Sequence, residues 1–424
     1  MSPYCALSMT KPMLCVGGMS VDIVEQCETG PWEGEKLRSV EARWQRGGHA
    51  SNVSFVLSML GARVEFLGVL SRSSMLRDIL LEMERNCIDL SHCPRTDENP
   101  AFTIVMNERK TGCRTILQCS RNFPYVTIDD FRKLDLSLYG WVHFEARNKL
   151  DIIPMIRAIL DYNNGRTERI QISLKVDSCY KENIDLFDMC DYLIFSRELA
   201  LDLGWQTVQE TCLQLAKDLP LPYSINVRRP CIICSWGPLG AGCLDNAGKY
   251  FELAASTKQK ARDTYGVGEC FTAAIIYALY VREMPLADAV ALGNLVAGHK
   301  ATSSGYNHIS TLNTYPVTLT NVIDHRSENM SEDDEAEHVI CRKIMNRKIQ
   351  PSDGKLATKL LQRFDRSNYG PAEKDSSDDS EPHSHQEPKP VNMPSSSIRK
   401  SGTRVARISR KSVQLKAKLL RGSK

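Results

Sequence analysis

Short apolar runs rich in β-branched residues alternate with longer segments of helical apolar spacing from Met13 to about Asn307, and this alternation constrains the fold more than any other feature. Met13–Val16 ends in a double glycine, Asn52–Leu60 carries apolar residues at helical spacing, and the strand Val64–Leu67 follows. The same alternation returns in Trp141–Phe144, Ile152–Leu160, Ile170–Val176, Tyr192–Phe195, Cys231–Cys234, Phe271–Val281 and Leu286–His299. We therefore predict an α/β fold, with a mostly parallel sheet between helical layers and ligands at the carboxyl ends of the strands.

Two stretches interrupt the alternation. Val24–Trp44 and Ala101–Leu117 contain short strand-like pieces with polar alternation, and the second has a turn around Glu108–Gly112. They predict a small accessory sheet.

The chain changes character after about residue 310. Acidic clusters and Pro/Ser/His-rich spacers follow, with too few large apolar residues to offset the entropy of ordering. We predict a mostly disordered charged tail over 311–424, with two amphipathic pieces over Val339–Phe364 that fold on binding. The basic end, 399–424, has ten Lys or Arg and no acidic residue. Two interpretations of it stay open: a solvated charge run, or a contact with an acidic partner such as nucleic acid or anionic lipid.

Composition excludes several classes. The formal net charge of +3 indicates neither a nucleic-acid-binding nor a membrane-binding protein. Fifteen irregularly spaced cysteines and no signal peptide favour reduced thiols in a cytoplasmic protein. The apolar run Phe271–Val281 is well short of the ~20 residues that span a bilayer. Cys231 and Cys234 have zinc-type spacing but no second ligand pair, so buried strand cysteines are favoured, and His143 is predicted to be a hydrogen-bonded core histidine.

The segment Asp263–Phe271 is glycine-rich and lies directly before an apolar helical run. Gly266 and Gly268 let the backbone turn its N–H groups toward one point, and the helix adds its positive dipole end, which suits a phosphate or an oxyanion. Glu269 at the same turn is positioned to take a proton from a hydroxyl that attacks that phosphate. The alternative is a plain glycine turn whose first-turn glutamate is favoured by the helix dipole.

Two further constellations precede the first helix. Trp44–Asn52 joins a double glycine to short polar side chains that can bind sugar hydroxyls, although for this segment alone an ordinary N-cap by Ser51 or Asn52 after a glycine hinge is favoured. Asp22 follows the first strand, where a carboxylate can accept two adjacent hydroxyls; its alternative is an ordinary loop aspartate.

Three motifs follow one another along the chain: strand-Gly-Gly-x-x-x-Asp, Gly-Gly-x-x-x-Asn and Asp-Thr-x-Gly-x-Gly-acid. In this order they resemble the motifs of the ribokinase-like (PfkB) carbohydrate kinases, and within that family those of the branch that phosphorylates ketohexoses. The resemblance covers residues 13 to about 305. Its carriers are Leu14–Gly17 with Asp22, Arg43–Gly48, Ala50–Asn52, Leu57–Ala62, Trp141–Glu145 with Arg147 and Asn148, and Asp263–Thr264.

The resemblance implies a ribokinase-like three-layer sandwich with a small β lid, using ATP and Mg²⁺ to phosphorylate a primary hydroxyl of a ketohexose such as fructose. It divides the chain into an arm (1–12), a kinase domain (13–310) with lid segments at about 24–46 and 99–120, and the tail. It also implies a homodimer through the lid. The residues it assigns are Asp22, Gly48, His49 and Asn52 to the sugar, Arg114, Gly237 and Gly240 to ATP, Gly266, Val267 and Gly268 to an anion hole, and Glu269 as the catalytic base.

This chain departs from the family pattern at several of these positions. Glu269 replaces an aspartate and is one methylene longer, and His49 replaces a sugar-binding asparagine. Lys175 and the Pro238–Leu239 pair replace acidic residues, and the Asn-x-x-Glu motif is replaced at Ser196–Leu199. No residue is therefore assigned to the metal. The competing hypothesis is a catalytically impaired pseudokinase that binds sugar or nucleotide and regulates through its charged tail.

Overall fold

The computed structural model describes residues 10–314 except 30–35, 37, 110–113, 121, 220–228 and 257–260. Most of the predicted N-terminal arm lies outside the described residues, as do the charged tail from residue 315 onward, the amphipathic pieces over Val339–Phe364 and the basic end. The turn predicted at Glu108–Gly112 lies mostly outside them as well. These assignments stay predictions.

The strands are β1 Met13–Val16, β2 Ser20–Cys27, β3 Glu41–Gly47, β4 Val64–Leu67, β5 Leu70–Ser71, β6 Ile88–Asp89, β7 Arg95–Thr96, β8 Ala101–Glu108, β9 Arg114–Cys119, β10 Trp141–Glu145, β11 Gln171–Val176, β12 Tyr192–Ser196, β13 Cys231–Ser235, β14 Ala241–Leu244 and β15 Tyr250–Leu253. The α-helices are α1 His49–Met59, α2 Arg77–Arg85, α3 Ile128–Phe131, α4 Lys149–Asn163, α5 Tyr180–Asn183, α6 Arg197–Asp202, α7 Val208–Asp218, α8 Val267–Tyr280 and α9 Leu286–Ala301. The 3₁₀ turns are Ser74–Leu76, Leu136–Leu138, Ile184–Met189, Gly237–Leu239 and Asn307–Thr314.

The main sheet has the strand order β15-β14-β13-β12-β11-β10-β1-β4-β6. Its pairs are parallel from β6 to β13, and β14 is antiparallel to both of its neighbours. The central strands are buried on both faces, as expected for a parallel sheet covered by helices on both sides. The predicted fold class is confirmed.

Alternate residues of each central strand enter opposite cores. Leu14 belongs to the cluster beneath α4 and α7, whereas its neighbour Cys15 belongs to the cluster beneath α1 and α8. Ile233 on β13 extends this second layer to α9. The sheet thus lies between two helical layers, and each contributes apolar burial worth about 1.5–3 kcal/mol per large side chain.

The accessory sheet is also confirmed, with the strand order β3-β2-β8-β9. We call these four strands the lid. Strand β2 starts at Ser20, so Asp22 lies within a lid strand and not in a loop after β1. The register places Trp44, Ile23, Ile104 and Leu117 side by side across the four strands.

Local signals located most elements to within a few residues. Helix α1 begins at His49, three residues before the predicted start, because Gly48 turns the chain at φ 91° and serves as its N-cap. None of the described helices is both long and apolar enough to cross a membrane. Eleven cysteines among the described residues are free thiols, whereas Cys87 is disulfide-bonded, so the expectation of reduced thiols does not hold for Cys87.

Candidate active site

Two helices begin at the edge of the sheet where β1 ends. Gly48 precedes α1 and Gly266 precedes α8, and both have positive φ, 91° and 84°. A Cβ at Gly48 would overlap the backbone of Gly18, and one at Gly266 would overlap the hydroxyl of Tyr306. Both turns therefore require glycine. They bring the positive N-terminal ends of α1 and α8 together, and we call the region between these two ends, where His49 faces Glu269, the crevice.

Asp22 is fully buried beside these turns. Its Oδ1 accepts a hydrogen bond from the Ser20 hydroxyl at 2.8 Å, and its Oδ2 accepts one from the Tyr265 hydroxyl at 2.5 Å. A Cβ at Gly47 would overlap the carboxylate, so the first glycine of the pair makes room for it. Desolvation raises the pKa of Asp22 above its ordinary value, although these hydrogen bonds and the Arg46 charge oppose that shift.

Glu269 lies in the first turn of α8 and faces His49 of α1. His49 Nδ1 is 3.9 Å from Glu269 Oε1, beyond direct hydrogen-bond distance, and His49 Nε2 is 3.3 Å from His143 Nε2. His143 Nδ1 is 2.8 Å from the Ser173 hydroxyl. The two imidazoles are buried, while the Glu269 side chain keeps 23% exposure. His143 is thus the hydrogen-bonded core histidine that the sequence predicts.

The pKa values of His143, His49 and Glu269 are set mainly by their burial. Burial lowers the pKa of His143 to about 3, and burial together with the charges of His143, Lys175 and Arg147 lowers the pKa of His49 well below 6.5. Two neutral rings can share one N–H between their Nε2 atoms, which two imidazolium rings cannot. Burial also raises the pKa of Glu269, partly offset by its own backbone hydrogen bond and by Lys175. A carboxylate whose pKa is raised toward neutrality is suited to general-base chemistry.

Two buried polar atoms near the glycine turns have no hydrogen-bond partner among the described residues. Asn52 is 1% exposed, and its side-chain oxygen accepts no hydrogen bond; the Tyr306 hydroxyl behind Gly266 is likewise buried and unpartnered. Because buried polar atoms are almost always hydrogen-bonded, these two are candidate contacts for a ligand or a bound water.

Arg46 belongs to the motif around the first glycine pair, but the sequence assigns it no role of its own. It is 2% exposed, its Nη1 donates to Glu82 Oε2 at 2.6 Å, and its guanidinium lies 3.7 Å from the centroid of the Phe55 ring and 5.3 Å from that of Tyr306. The Glu82 carboxylate and the two aromatic rings stabilise this buried charge. An arginine in a half-exposed strand gives no local signal of such burial.

The lid contacts the turn before α8 at two points. Arg43 Nη2 lies 2.9 Å from Asp263 Oδ2, and Arg114 Nη1 donates to the backbone oxygen of Thr264 at 3.3 Å. Asp263 also receives the buried Lys300 ammonium at 3.1 Å. Arg114, predicted to contact nucleotide phosphate, therefore lies beside the glycine turn predicted to be the anion hole.

The predicted nucleotide glycines lie farther along the same sheet edge. Gly237 and Gly240 have positive φ, 62° and 99°, and form the 3₁₀ turn between β13 and β14. A Cβ at Gly237 would come 3.1 Å from Arg197 Nη1, while one at Gly240 would overlap the backbone at Leu253. Gly240 is required for close packing, and Gly237 faces an arginine.

A cavity adjoins the crevice at the ends of β1 and β10. Its lining includes Gly18, Ser20, Gly48, Glu145 and Arg147. Glu145 Oε2 accepts the backbone N–H of Gly18 at 3.1 Å, and its Oε1 is held by Arg147 at 2.9 Å. In the sequence, Glu145 and Arg147 only carry the resemblance, yet both line this cavity.

A magnesium site is not built from the described side chains. No group of three or more His, Cys, Asp or Glu among them is arranged to hold a metal ion. Near the crevice and the nucleotide turn lie the cations Lys175 and Arg197, and the Glu198 side chain is 64% exposed. Because Mg²⁺ prefers carboxylate oxygens and water, this donor set does not fit direct coordination.

Contacts thus connect most of the predicted site residues: Asp22 binds Tyr265 beside Gly266, His49 faces Glu269, and Arg114 binds Thr264. Gly48 and Asn52 lie at the start of α1, whereas Gly237 and Gly240 lie at a separate turn of the same edge. Tyr265, Arg46 and Lys300 are additional residues of this region that the sequence did not single out.

Comparisons with known proteins concern the family and the fold. The profile of the pfkB family carbohydrate kinase matches residues 11–129 and 224–312, which include both glycine turns. Ketohexokinase of Mus musculus is 29% identical over 303 residues, which cover 70% of this chain and 99% of the mouse protein.

Solved structures share the fold at low identity. A putative ribokinase from Agrobacterium tumefaciens aligns with a TM-score of 0.61 and 18% identity over 74% of this chain and 99% of its own. Ribokinase from Cryptococcus neoformans in complex with ADP aligns at 0.57 and 16%, over 74% and 100%. Arabidopsis thaliana ribokinase complexed with ribose and ATP aligns at 0.56 and 18%, over 72% and 100%. With the family profile on both glycine turns and the fold shared throughout the described domain, this chain belongs to the pfkB family of carbohydrate kinases.

Proposed function

We propose that this protein transfers the γ-phosphoryl group of ATP to a primary hydroxyl of a ketohexose such as fructose. The observation that carries the proposal is the position of Glu269, whose carboxylate lies in the first turn of α8, 3.9 Å from His49 Nδ1 and near enough to Asp22 for the two charges to interact. The mouse relative at 29% identity is named a ketohexokinase, which supports the sugar class.

The residues have distinct roles in this reaction. Glu269 accepts the proton of the attacking hydroxyl, while Asp22 and the unpartnered Asn52 oxygen orient the sugar. The first N–H groups of α8 have no helical carbonyl to bond, so the turn Gly266–Gly268 can hold the oxygens of the migrating phosphoryl group. His49 adds a neutral imidazole beside the base.

ATP is expected to bind along the same edge of the sheet. Arg114 is positioned beside the anion hole for the phosphates, and the turn from Gly237 to Gly240 is positioned for the rest of the nucleotide. Mg²⁺ would enter with the phosphates and neutralise their charge, since the described side chains offer it no carboxylate set.

The deciding experiment is a coupled ATP assay with fructose on the wild type and Glu269→Gln. Removing the base should lower kcat by about 10²–10⁴-fold. The control is Glu84→Gln, the same change at an exposed position on α2, which should keep wild-type turnover. Turnover that survives in Glu269→Gln contradicts the proposed base.

Absence of turnover in the wild type as well would favour the pseudokinase hypothesis. Thermal stabilisation by ATP and by fructose then tells a binding protein from one that binds neither, because a ligand that binds only the folded state raises Tm.

We also propose a homodimer through the lid and a cytoplasmic location. The outward row Trp44, Ile23, Ile104 and Leu117 ends in two exposed apolar side chains, Trp44 at 61% and Leu117 at 54% exposure. Such a row supports association with a second copy. The free thiols of the described residues support a reducing compartment, and the disulfide at Cys87 is the exception.

A further inference from the structure

The hydroxyl of Tyr265, which has no role in the proposed reaction, donates a hydrogen bond to Asp22, the carboxylate proposed to bind the sugar. Tyr265 lies directly before the anion-hole turn, and its Oη donates to Asp22 Oδ2 at 2.5 Å, across 243 residues of sequence. The backbone N–H of Tyr265 donates to Asp263 Oδ1 at 3.1 Å, so the chain on which the ring is mounted is itself held in place.

The other acceptor positions of Asp22 are largely occupied too. Ser20 donates to Oδ1 at 2.8 Å, and the side chain of Thr103, the residue paired with Asp22 across β2 and β8, lies beside the carboxylate and helps to lower its pKa. An ionised carboxylate offers about four lone-pair positions. With the Ser20 and Tyr265 hydroxyls bound, the Thr103 side chain beside them and the residue fully buried, Asp22 has little acceptor capacity left for a substrate.

We propose that Tyr265 is a specificity-determining residue: by occupying one acceptor position on Asp22, its hydroxyl disfavours sugars that present an adjacent pair of hydroxyls there relative to sugars that present one. This inference rests on the proposed function in taking Asp22 as a sugar contact. A sugar with the adjacent pair must either displace the Tyr265 hydroxyl or leave one of its own hydroxyls unbonded when it is desolvated.

The test compares the binding of fructose and of its monodeoxy derivatives, each lacking one ring hydroxyl, by calorimetry. The proteins are the wild type, Tyr265→Phe and the control Tyr280→Phe. Tyr280 lies at the far end of α8 and donates to the backbone oxygen of Lys11, so the control loses a tyrosine hydroxyl outside the crevice.

In the wild type, fructose should bind within about twofold of the monodeoxy sugar that lacks one hydroxyl of the pair. Tyr265→Phe should raise the affinity for fructose about tenfold and leave that monodeoxy sugar within about twofold, because only the adjacent pair uses the freed position. Tyr280→Phe should keep both wild-type affinities. A ratio that does not change in Tyr265→Phe, or a loss of fructose affinity, overturns the inference.

Measuring sugar binding as well as product formation distinguishes a failure of this inference from a failure of the proposed reaction. A changed ratio without phosphorylated product leaves the role of Tyr265 standing and removes the kinase proposal, whereas product formation with an unchanged ratio does the reverse. No sugar binding in any of the three proteins overturns both. If Tyr265→Phe is poorly folded, Tyr265→Met supplies a second side chain without a hydroxyl, and a purely structural role would lower Tm without moving the ratio.

Discussion

Arg43 of the lid and Asp263 of the turn before α8 form an ion pair, with Arg43 Nη2 2.9 Å from Asp263 Oδ2. Asp263 is 4% exposed at its side chain and also receives Lys300 Nζ at 3.1 Å and the backbone N–H of Gly305 at 3.2 Å. One carboxylate therefore joins the lid, α9 and the proposed anion-hole turn, so the lid position and the geometry of the turn depend on each other.

The two partners of this buried pair should differ in how much stability they contribute. Asp263→Ala leaves the fully buried Lys300 ammonium without its carboxylate, and we expect a loss of about 3–5 kcal/mol in the free energy of unfolding. Lys300→Met should cost less, because Asp263 keeps Arg43 and the Gly305 N–H. Urea unfolding measures both. Equal losses would contradict the expected difference between the two partners.

Alanine substitutions at the two glycines of the proposed anion hole should have different effects, one through backbone strain and the other through ligand contact. Gly266→Ala meets both a φ of 84° and the Tyr306 hydroxyl, so we expect a loss of about 1–3 kcal/mol in the free energy of unfolding. A Cβ at Gly268 meets no atom within 4 Å, so Gly268→Ala should fold normally. If Gly268 faces the phosphoryl group, Gly268→Ala should nevertheless raise the KM for ATP. Thermal melts and steady-state kinetics on both variants check this, and a destabilised Gly268→Ala would contradict it.

Periodicity and resemblance together predicted the parallel sheet, both glycine turns and Glu269, because each of these is encoded in a short local stretch. The contact between Tyr265 and Asp22 spans 243 residues and that between Arg43 and Asp263 spans 220, and no local pattern encodes contacts of that range. Tyr265 also occupies a variable position of the motif, so the resemblance assigned it no role.

Two other differences have physical causes. The hairpin β14–β15 was missed because its strands have four residues each, and one of them contains Gly242. Asp22 was expected after a strand, but the register of β2 with β3 and β8 carries that position into the lid. In both cases the pairing of the strand with its neighbours determines the structure, and the sequence pattern does not show this pairing.

Acid should destabilise the protein through His143. Its pKa is lowered to about 3 in the folded state, whereas an unfolded histidine titrates near 6.5. The unfolded chain therefore binds the extra proton as pH falls below 6.5, and this residue alone should cost about 1.4 kcal/mol of stability per pH unit down to about pH 3. His143→Gln removes this dependence, so its unfolding free energy should fall less steeply than that of the wild type between pH 6 and pH 5.

Denaturant unfolding at pH 8 supplies the reference, since neither state protonates the imidazole there and the difference is the cost of the substitution itself. Parallel pH profiles for the two proteins would show that His143 is protonated in the folded state.

The exposed row of the lid should control the oligomeric state. Trp44→Lys with Leu117→Lys places charges at both ends of the row, and we expect the proposed dimer to dissociate to monomers in analytical ultracentrifugation. Leu150→Lys, at a position 85% exposed on α4, is the matched control and should remain dimeric. A wild type that is already monomeric at micromolar concentration would contradict the proposed lid dimer.

His49 and Glu269 differ from the asparagine and aspartate that the family resemblance leads us to expect at these positions. Their side chains approach to 3.9 Å, and His49 is tied to His143 on its other side. We infer that the imidazole supports the longer carboxylate, so that each substitution alone misplaces the base. Glu269→Asp should lower kcat/KM about 100-fold, and His49→Asn about tenfold.

The double variant His49→Asn with Glu269→Asp should be less impaired than the product of the single effects, by at least about tenfold, or ~1.4 kcal/mol of coupling. Steady-state kinetics with fructose and ATP measure this cycle. A control cycle pairs His49→Asn with Glu84→Gln on α2, where the effects should multiply, because residues without contact act independently. Multiplicative effects in the first cycle as well would mean that His49 contacts the sugar alone and does not position the base.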